Sequence, residues 1–299
     1  MEAVLIVRYT EIILKGKNRG FFEKKLVENV KKTLNNYQIT FLAVKRLKGR
    51  VFVYFETKEA AEKAIEFLSC VFGVQSLGLG LMVKNNVEEI KGCVFSQLEG
   101  VDFGTFRIST KRADKSFPMK STEVDREIGA AVVNRFGKDV DLNNYDINVK
   151  IEIFGGMAAV SVVNFFGPGG LPLGTSGKVF VGCDYENHGL AAFLMMRRGC
   201  KVAFYGKSNP DSEEAGSLSI YNNGRPVDFM GDEGDGSDLL GTMELHHISA
   251  FVLGISGEKL VEIWERLPNC LVLTPLAGLD GKELGQLSIK NIPWSLRKW

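Results

Sequence analysis

The order of hydrophobic patterns over residues 4–83 constrains the fold of this 299-residue chain more than any other feature. An apolar run at residues 4–9 is typical of a buried strand, and apolar residues recur at helical spacing from Phe22 to Leu34. Strand patterns at 39–47 and 51–56 meet at Lys48-Gly49, and a helical pattern at 60–71 precedes a strand pattern at 74–83. This order, strand-helix-strand-strand-helix-strand, predicts a ferredoxin-like domain.

The following 80 or so residues predict a second α+β unit (roughly the length of one such module). Asn86 with Glu89 is typical of a capping box and begins a helix predicted over 87–98. A strand at 105–110 follows, and then a helix at 123–136 for which Ser121 or Thr122 is the predicted cap. Strands at 147–154 and 157–164 are joined by Gly155-Gly156, which predicts a hairpin.

A glycine- and proline-rich stretch, residues 165–177, predicts a linker of fixed shape. Its sequence, FFGPGGLPLGTSG, has five glycines and two prolines but matches neither GxGxxG nor GxxxxGK[ST]. After it, a strand at 179–181, a helix at 187–198 and a strand at 202–205 predict the start of a parallel α/β domain. Little structure is expected in the acidic segment 208–238. Helices near 239–253 and 258–267 and a strand at 270–273 are expected beyond it.

Charge is distributed unevenly, although the net charge is only +1. Residues 1–50 contain 12 Lys and Arg against 4 Asp and Glu, whereas residues 201–250 contain 3 against 9. A basic front predicts a polyanionic partner for that part of the chain. The alternative is that these charges are only a solvated surface.

Two basic segments lie on predicted loops in successive units, where binding residues are often found. We expect them to form one continuous surface for a sugar-phosphate chain, with Phe117 stacking on an exposed base. The predicted RNA contacts are Arg8, Lys15, Lys17, Arg19, Lys111, Arg112, Lys115 and Lys120.

Cysteine and histidine spacing predicts no metal site. None of the five cysteines lies in a CxxC pair, which excludes a zinc knuckle and a thioredoxin-like motif. The adjacent His246 and His247 would point to different helix faces, and residues 231–238 lack a calcium-loop glutamate at the twelfth position. Reduced cysteines, no bilayer-length apolar run and no leader predict a cytoplasmic protein without a membrane partner.

The strand-loop-helix pattern at 179–199 offers helix amides to an anion, but Asp184 and Glu186 would repel a phosphate there. Two interpretations stay open at this point. The loop is a structural turn, or Cys183 and His188 form a nucleophile and base.

Three long stretches, RYTEIILKGKNRGFFE, KRADKSFPMKSTEVDREIGA and GPGGLPLGTSGK, resemble the tRNA 4-thiouridine synthetase family, also called tRNA sulfurtransferase or thiamine biosynthesis protein. The resemblance implies an α+β then α/β architecture. It implies an N-terminal ferredoxin-like domain (1–75), a THUMP domain (76–166) and a truncated PP-loop-like, Rossmann-like domain (176–299). In this family the first two domains hold the tRNA acceptor region, which makes the eight basic residues candidate RNA contacts.

The chain departs from the family at its nucleotide loop. The family's Ser-Gly-Gly-x-Asp-Ser loop falls on Cys183, Asp184, Tyr185, Glu186, Asn187 and His188, none of which keeps the motif residue. The resemblance therefore predicts a tRNA-binding THUMP protein that has lost its ATP-binding loop and assists tRNA modification. Its partners would be tRNA and a tRNA-modifying enzyme, a homodimer is left open, and no cofactor is expected unless the family's ATP-dependent activity survives.

Two alternatives remain. One is an active tRNA sulfurtransferase, or another tRNA-modifying enzyme, with a site rebuilt around Cys183 and His188. The other is a structural subunit with no RNA role.

Overall fold

The computed structural model describes residues 3–47, 49–113, 116–208, 210, 212–231, 239–263 and 270–286. These residues form two compact units. As far as it is described, the first unit comprises residues 3–8, 39–66 and 76–165, and the second comprises residues 9–38, 67–75 and those from 166 onward. None of the described helices is both long enough and apolar enough to cross a membrane.

The first four strands form the antiparallel arrangement that the hydrophobic pattern predicted. Their order in the sheet is β2-β3-β1-β4, and helices α1 and α2 follow β1 and β3 along the chain. The elements are β1 (Ala3–Arg8), α1 (Arg19–Asn36), β2 (Ala43–Leu47), β3 (Arg50–Phe55), α2 (Lys58–Leu68) and β4 (Ser76–Lys84). This is the ferredoxin-like topology, so the prediction is confirmed.

The next elements extend the same sheet to eight strands, in the order β2-β3-β1-β4-β8-β7-β5-β6. They are α3 (Val87–Leu98), β5 (Thr105–Arg112), α4 (Ser121–Phe136), β6 (Asp139–Val140), β7 (Ile147–Phe154) and β8 (Met157–Phe166). β5 pairs parallel with β7, and β7 pairs antiparallel with β8. Helices α3 and α4 bury residues such as Ile90 and Ile128 in one cluster with Ile151.

The predicted caps have different outcomes. The Asn86 side chain accepts the Glu89 N–H at 2.8 Å, as expected for the start of α3. The prediction of Ser121 or Thr122 as the cap of α4 is wrong, because the cap is Lys120, whose backbone N–H donates to the Glu123 carboxylate at 2.7 Å. The acidic residue of the capping box therefore sets where this helix begins, without a hydroxyl cap.

The eight-stranded sheet curls so that strands far apart in its order come together on one face. β3 and β7 are not neighbours, yet the rings of Phe52 and Phe154 lie 4.6 Å apart. Val4, Ile6 and Ala159 pack in the same cluster. This contact brings the start of β3 close to β7, which positions the charged residues described below.

In the second unit, five parallel strands have the order β11-β10-β9-β12-β13, a doubly wound, Rossmann-like arrangement. Helices connect successive strands. The elements are β9 (Lys178–Gly182), α5 (His188–Arg197), β10 (Lys201–Gly206), α6 (Ser212–Ser219), β11 (Asp228–Gly231), α7 (Leu239–Leu245), β12 (Ala250–Val252), α8 (Gly257–Ile263), β13 (Val272–Leu273) and α9 (Gly281–Gln286). Val181 and Phe204 face one buried cluster while Phe180 and Tyr205 face another, as expected of a sheet covered on both faces.

Two expectations for this unit are corrected. Segment 208–238 contains α6 and β11, although little structure was expected there; residues 232–238 lie outside the described part of the chain. The helix expected over 239–253 ends at Leu245, and Ala250–Val252 instead forms strand β12 beside β9. A short apolar run has no periodicity that separates a buried strand from a buried helix, so only pairing with β9 decides this assignment.

Helix α1 packs within the second unit, on the glycine-rich stretch and the segment before β11. The Asn29 side chain donates to the Leu173 carbonyl at 3.1 Å, and the Asn36 side chain donates to the Asn223 carbonyl at 2.7 Å. Gly170 has φ +73°, and a Cβ there would meet the Arg197 carbonyl. Backbone bonds and close approaches of this kind give the stretch a defined path.

Candidate nucleic-acid interface

The predicted basic segments are divided between the two units. Lys111, Arg112 and Lys120 belong to the first unit, at the end of β5 and before α4, while Lys115 lies outside the described residues. In the other segment, Arg8 ends β1 in the first unit, whereas Lys15, Lys17 and Arg19 belong to the second unit, in the 3₁₀ segment Glu11–Asn18 and at the start of α1. That the two segments form one surface stays a prediction.

Glu152 on β7 binds two arginines from the ferredoxin-like part of the sheet. Its carboxylate lies 2.7 Å from Arg8 Nε and 3.0 Å from Arg50 Nε. Arg8 also donates to Asn164 and Ser161, at 3.0 Å each. The three charged side chains are nearly buried. Arg8, which was predicted as an RNA contact, therefore has its guanidinium bonded to other residues of the sheet.

Two lysines join Glu152 through strand register. Lys111 on β5 is directly opposite Glu152, and Lys150 precedes Glu152 by two residues on β7, so all three share one face. Burial lowers the pKa of Lys150 to about 8, helped by the charges of Arg8, Lys111 and Arg50. Partial burial and Arg50 also lower the pKa of Lys111. The cluster therefore has four cationic side chains around this one carboxylate.

A cavity of about 390 Å³ opens beside this cluster. Arg50, Lys111 and Arg112 contribute to its wall, and the rings of Phe52 and Phe154, tilted 45° to each other, contribute an apolar floor. Its volume lies within the range of about 300–1,000 Å³ that is usual for ligand pockets. The arrangement suits a negatively charged group attached to an apolar or aromatic body.

The loop from β5 to α4 folds back on itself. Arg112 Nη1 donates to the carbonyls of Phe117 and Met119, at 2.8 and 2.7 Å. Phe117 is 3% exposed and packs in the core beneath α3 and α4. The prediction that Phe117 stacks on a base is therefore wrong, because its ring serves the hydrophobic core.

Sequence reasoning missed Arg50 and Lys150. The signal for Lys150 was present, since strand INVKIEIF alternates and places Asn148, Lys150 and Glu152 on one face. Arg50 had no such signal, because its closeness to Glu152 depends on the curl of the sheet.

In the second unit, Arg19 is held by neighbours while Lys17 is exposed. Arg19 Nε lies 2.7 Å from the Glu23 carboxylate, which also accepts from the hydroxyl of buried Tyr9. Burial and the bond to Glu23 raise the pKa of Tyr9 to about 12. Lys15 lies over the ring of Phe22 at 5.1 Å, so Lys17 has the most accessible charge of this segment.

The loop from β9 to α5, where the resemblance places a nucleotide, is bonded to the carboxyl ends of adjacent strands. The Asp184 carboxylate accepts the Lys207 N–H at 3.1 Å, and Glu186 pairs with Lys259. Cys183 Sγ lies 3.1 Å from the Ser208 carbonyl. Burial and the charge of Asp184 raise the pKa of Cys183 to about 11, which disfavours the thiolate.

Two glycines let this loop lie directly on the strand ends. A Cβ at Gly206 would be 2.5 Å from Cys183 Sγ, and one at Gly254 would be 2.5 Å from the Glu186 carbonyl. The loop thus lies close against the end of β10 and the residues that follow β12. Among the described residues, no three His, Cys, Asp or Glu side chains are grouped so that they could hold a metal ion.

Family models match both N-terminal domains. Residues 4–78 match the ThiI ferredoxin-like domain, and residues 84–163 match the THUMP domain. A "probable tRNA sulfurtransferase" of Thermoanaerobacter sp. (strain X514) is 39% identical over 220 residues. Over these two domains, the chain is similar to proteins of the tRNA sulfurtransferase family.

The family relatives are longer than this chain. The match to the Thermoanaerobacter protein covers 72% of the chain and 56% of that relative. A "probable tRNA sulfurtransferase" of Clostridium kluyveri is 38% identical over 221 residues, which are 55% of its length. The chain therefore spans little more than half of these tRNA sulfurtransferases.

Two solved structures share the fold over almost the whole chain. PH1313 from Pyrococcus horikoshii OT3 has a TM-score of 0.84 and 27% identity, covering 99% of both chains. A 4-thiouridine synthetase, solved as an RNA complex with bound ATP, has a TM-score of 0.74 over 98% of this chain and 88% of its own. At 24% identity, the second likeness supports the fold alone.

Proposed function

We propose that this chain is a member of the tRNA sulfurtransferase family that binds tRNA through its ferredoxin-like and THUMP domains and assists tRNA modification. The observation that carries the proposal is the excess of positive charge on one face of the eight-stranded sheet, within domains of this family. Lysine and arginine gain affinity for nucleic acids by neutralising phosphates and releasing counterions.

The proposed contacts differ in how directly they reach RNA. Lys17, Lys111 and Lys120 have exposed side chains and are proposed to contact phosphates. Lys15, Arg19 and Arg112 are partly buried and make contacts within the protein, so we propose that they shape these segments as well. Arg8 is proposed to position Glu152 and not to touch RNA.

We further propose that the C-terminal domain does not bind ATP through a PP-loop. At the positions of the family motif the chain carries Asp184, which accepts from the Lys207 N–H just after β10, and Glu186, which pairs with Lys259 of α8. These carboxylates would repel a pyrophosphate. In addition, the loop occupies the space that side chains at positions 206 and 254 would otherwise take. Thiolation would then belong to a partner enzyme.

The alternative, an active sulfurtransferase with a rebuilt site, draws support from the names of its relatives. It would need Cys183 as a nucleophile, and the raised pKa of that thiol speaks against this role. Mixing the full chain with ATP, a sulfur donor and unmodified tRNA would test it, since thiolation that disappears in Cys183→Ala would replace our proposal.

The RNA assignment is tested by measuring the affinity of the full chain for an unmodified tRNA transcript. Reversing the charge of Lys111 and Lys120 to glutamate should weaken binding by at least about tenfold at moderate salt, through lost phosphate contacts. The matched control is Lys63→Glu, an exposed lysine on α2, which should change binding much less. An equal loss of affinity in the charge-reversed variant and in the Lys63→Glu control, or no loss in either, would contradict a specific interface on β5 and α4.

The ATP assignment has a separate measurement. Calorimetry of the full chain with ATP and magnesium at millimolar nucleotide should detect no binding. Saturable binding that is lost when the 183–188 loop is altered, for example in Asn187→Ala, would show that the proposal about the C-terminal domain is incorrect while leaving the RNA proposal untouched.

A further inference from the structure

The charge around Glu152 is not balanced. Its carboxylate neutralises part of the charge of Arg8 and Arg50, while Lys111 and Lys150 add two more cations on the same face. Bringing like charges together in a partly buried site is unfavourable unless an anion joins them. The lowered pKa values of Lys111 and Lys150 express this repulsion, after the larger effect of burial.

The cavity beside the cluster is open to such an anion. Arg50 from β3 and the adjacent residues Lys111 and Arg112 at the end of β5 meet at its wall, and Ser121, the first residue of α4, also lines it. The 16-residue α4 directs its first N–H groups toward its N-terminal end, where negative charge is stabilised. Arg112 is fixed by its bonds to the loop carbonyls, so this part of the wall is preformed.

We propose that this cavity holds one phosphate group of the bound RNA between Arg50, Lys111 and Arg112, and that Lys150 takes up a proton as the phosphate enters. The inference rests on the proposed RNA-binding function and adds a defined subsite to it. It assigns roles to Arg50 and Lys150, which lie outside the two basic loop segments.

The proton uptake follows from the groups that face Lys150. These are Arg8 on β1, Arg50 on β3, Lys111 on β5 and Glu152 on its own strand. Three of the four are cations, and together with burial, which is the larger cause, they keep Lys150 partly deprotonated at mildly alkaline pH. Lys150 interacts with Arg50, Lys111 and Glu152, which line the cavity. A phosphate bound there adds opposite charge to the cluster and raises the pKa of the amine, so binding and protonation strengthen each other.

The first experiment uses inorganic phosphate as the probe and needs no RNA. Lysine amines of the full chain are labelled with ¹³C-methyl groups, and the Lys150 signal, assigned with Lys150→Arg, is titrated from about pH 6 to pH 11. We expect its pKa to rise by about one unit at saturating phosphate. The rise should disappear in Arg50→Gln, whereas Lys63 should titrate alike with and without phosphate. An unchanged Lys150 pKa would overturn the subsite.

The second experiment measures tRNA affinity against pH. For the natural chain, affinity should fall by about tenfold between pH 7 and pH 9.5 beyond the fall of a control, Lys63→Met, because a one-unit pKa change corresponds to a tenfold change in binding. Lys150→Arg keeps its charge and should bind with a flatter pH profile. Lys150→Met should bind weakly at both pH values. An identical pH profile in all variants would overturn the proposed proton coupling.

The two experiments separate the possible failures. If phosphate raises the Lys150 pKa but no tRNA binds, the subsite stands and the proposed function fails. If tRNA binds in a Lys111-dependent way but phosphate leaves Lys150 unchanged, the function stands and the subsite fails.

Discussion

At the scale of single residues, Glu152 joins two parts of the chain that are far apart in sequence. It accepts from Arg8, 144 residues earlier, and pairs with Arg50 across the curled sheet. A buried ion pair is weak evidence for stability by itself, since desolvation offsets attraction. Removing one partner is different, because the other charges then remain buried without compensation.

We therefore predict that Glu152→Ala lowers the free energy of unfolding by about 3 kcal/mol, since it leaves two nearly buried arginines uncompensated. Urea denaturation checks this value. The control is Glu88→Ala, which removes an exposed pair with Lys91 and should cost less than about 1 kcal/mol. Similar small costs for both substitutions would show that the Glu152 cluster is well solvated.

Unlike Glu152, Lys150 is predicted to destabilise the folded state, by an amount that depends on pH. Its pKa falls from 10.5 to about 8 on folding, so the folded state disfavours the charged amine. The penalty is fully present below about pH 8 and disappears as the pH rises toward 10.5, where both states are neutral.

Lys150→Met should accordingly stabilise the chain near pH 7 by about 1 kcal/mol, a value discounted for the part of the side chain that solvent screens. The difference between the two proteins should shrink as the pH rises to about 10.5, where the unfolded chain also loses the proton. Urea unfolding of both proteins at several pH values measures it. A difference that does not vary with pH would contradict the pKa assignment.

At the scale of elements, the β9–α5 loop lies close against the carboxyl ends of the neighbouring strands. The carboxyl ends of parallel strands are where ligands usually bind in open α/β sheets. Here Cys183 and Asp184 lie against Gly206, and the Glu186 and Asn187 backbones lie against Gly254. The atoms nearest to Gly254 belong to the loop backbone. A side chain added at Gly254 would therefore find no flexible side chain that could move aside.

Gly254→Ala should therefore destabilise the chain by about 2 kcal/mol, because the added methyl group overlaps the loop backbone. Gly216→Ala is the control, since a Cβ in α6 meets nothing within 4 Å and alanine favours a helix. Thermal or urea denaturation compares the two. Should Gly254→Ala prove neutral, the loop can move away from the sheet and is not held rigidly there.

At the scale of the whole molecule, the chain combines two domains of a tRNA sulfurtransferase with a Rossmann-like domain whose loop differs from the family motif. The relatives extend well beyond the matched region, and PH1313 has the same extent as this chain. We have proposed that the chain binds tRNA without using ATP. The salt dependence of RNA binding reports how many phosphates the whole chain contacts.

We predict that Lys17→Met and Lys111→Met, one in each compact unit, each reduce the salt slope of tRNA binding by about one, because each removes one phosphate contact. The double variant should lose about two if both segments contact one RNA. Affinity measured over a range of salt concentrations gives the slopes. A slope unchanged in Lys17→Met would mean that the basic segment of the second unit does not take part.

Local sequence patterns determined much of the fold. Residues 87–98 form a helix with the predicted bounds and the predicted Asn86 cap, because apolar spacing and a capping side chain act within one or two turns. The order of strands and helices in the ferredoxin-like domain followed from the same kind of pattern. The family likeness of the basic segments was likewise visible in the residues themselves.

Tertiary structure alone decided which charges are available. Arg8 and Phe117 sit among basic residues in the sequence, but strand pairing buries the first and the core takes up the second. Arg50 and Lys150 meet Glu152 only because β3, β5 and β7 converge on one face of the curled sheet. Burial and pairing depend on contacts between residues distant in sequence, and local periodicity does not encode those contacts.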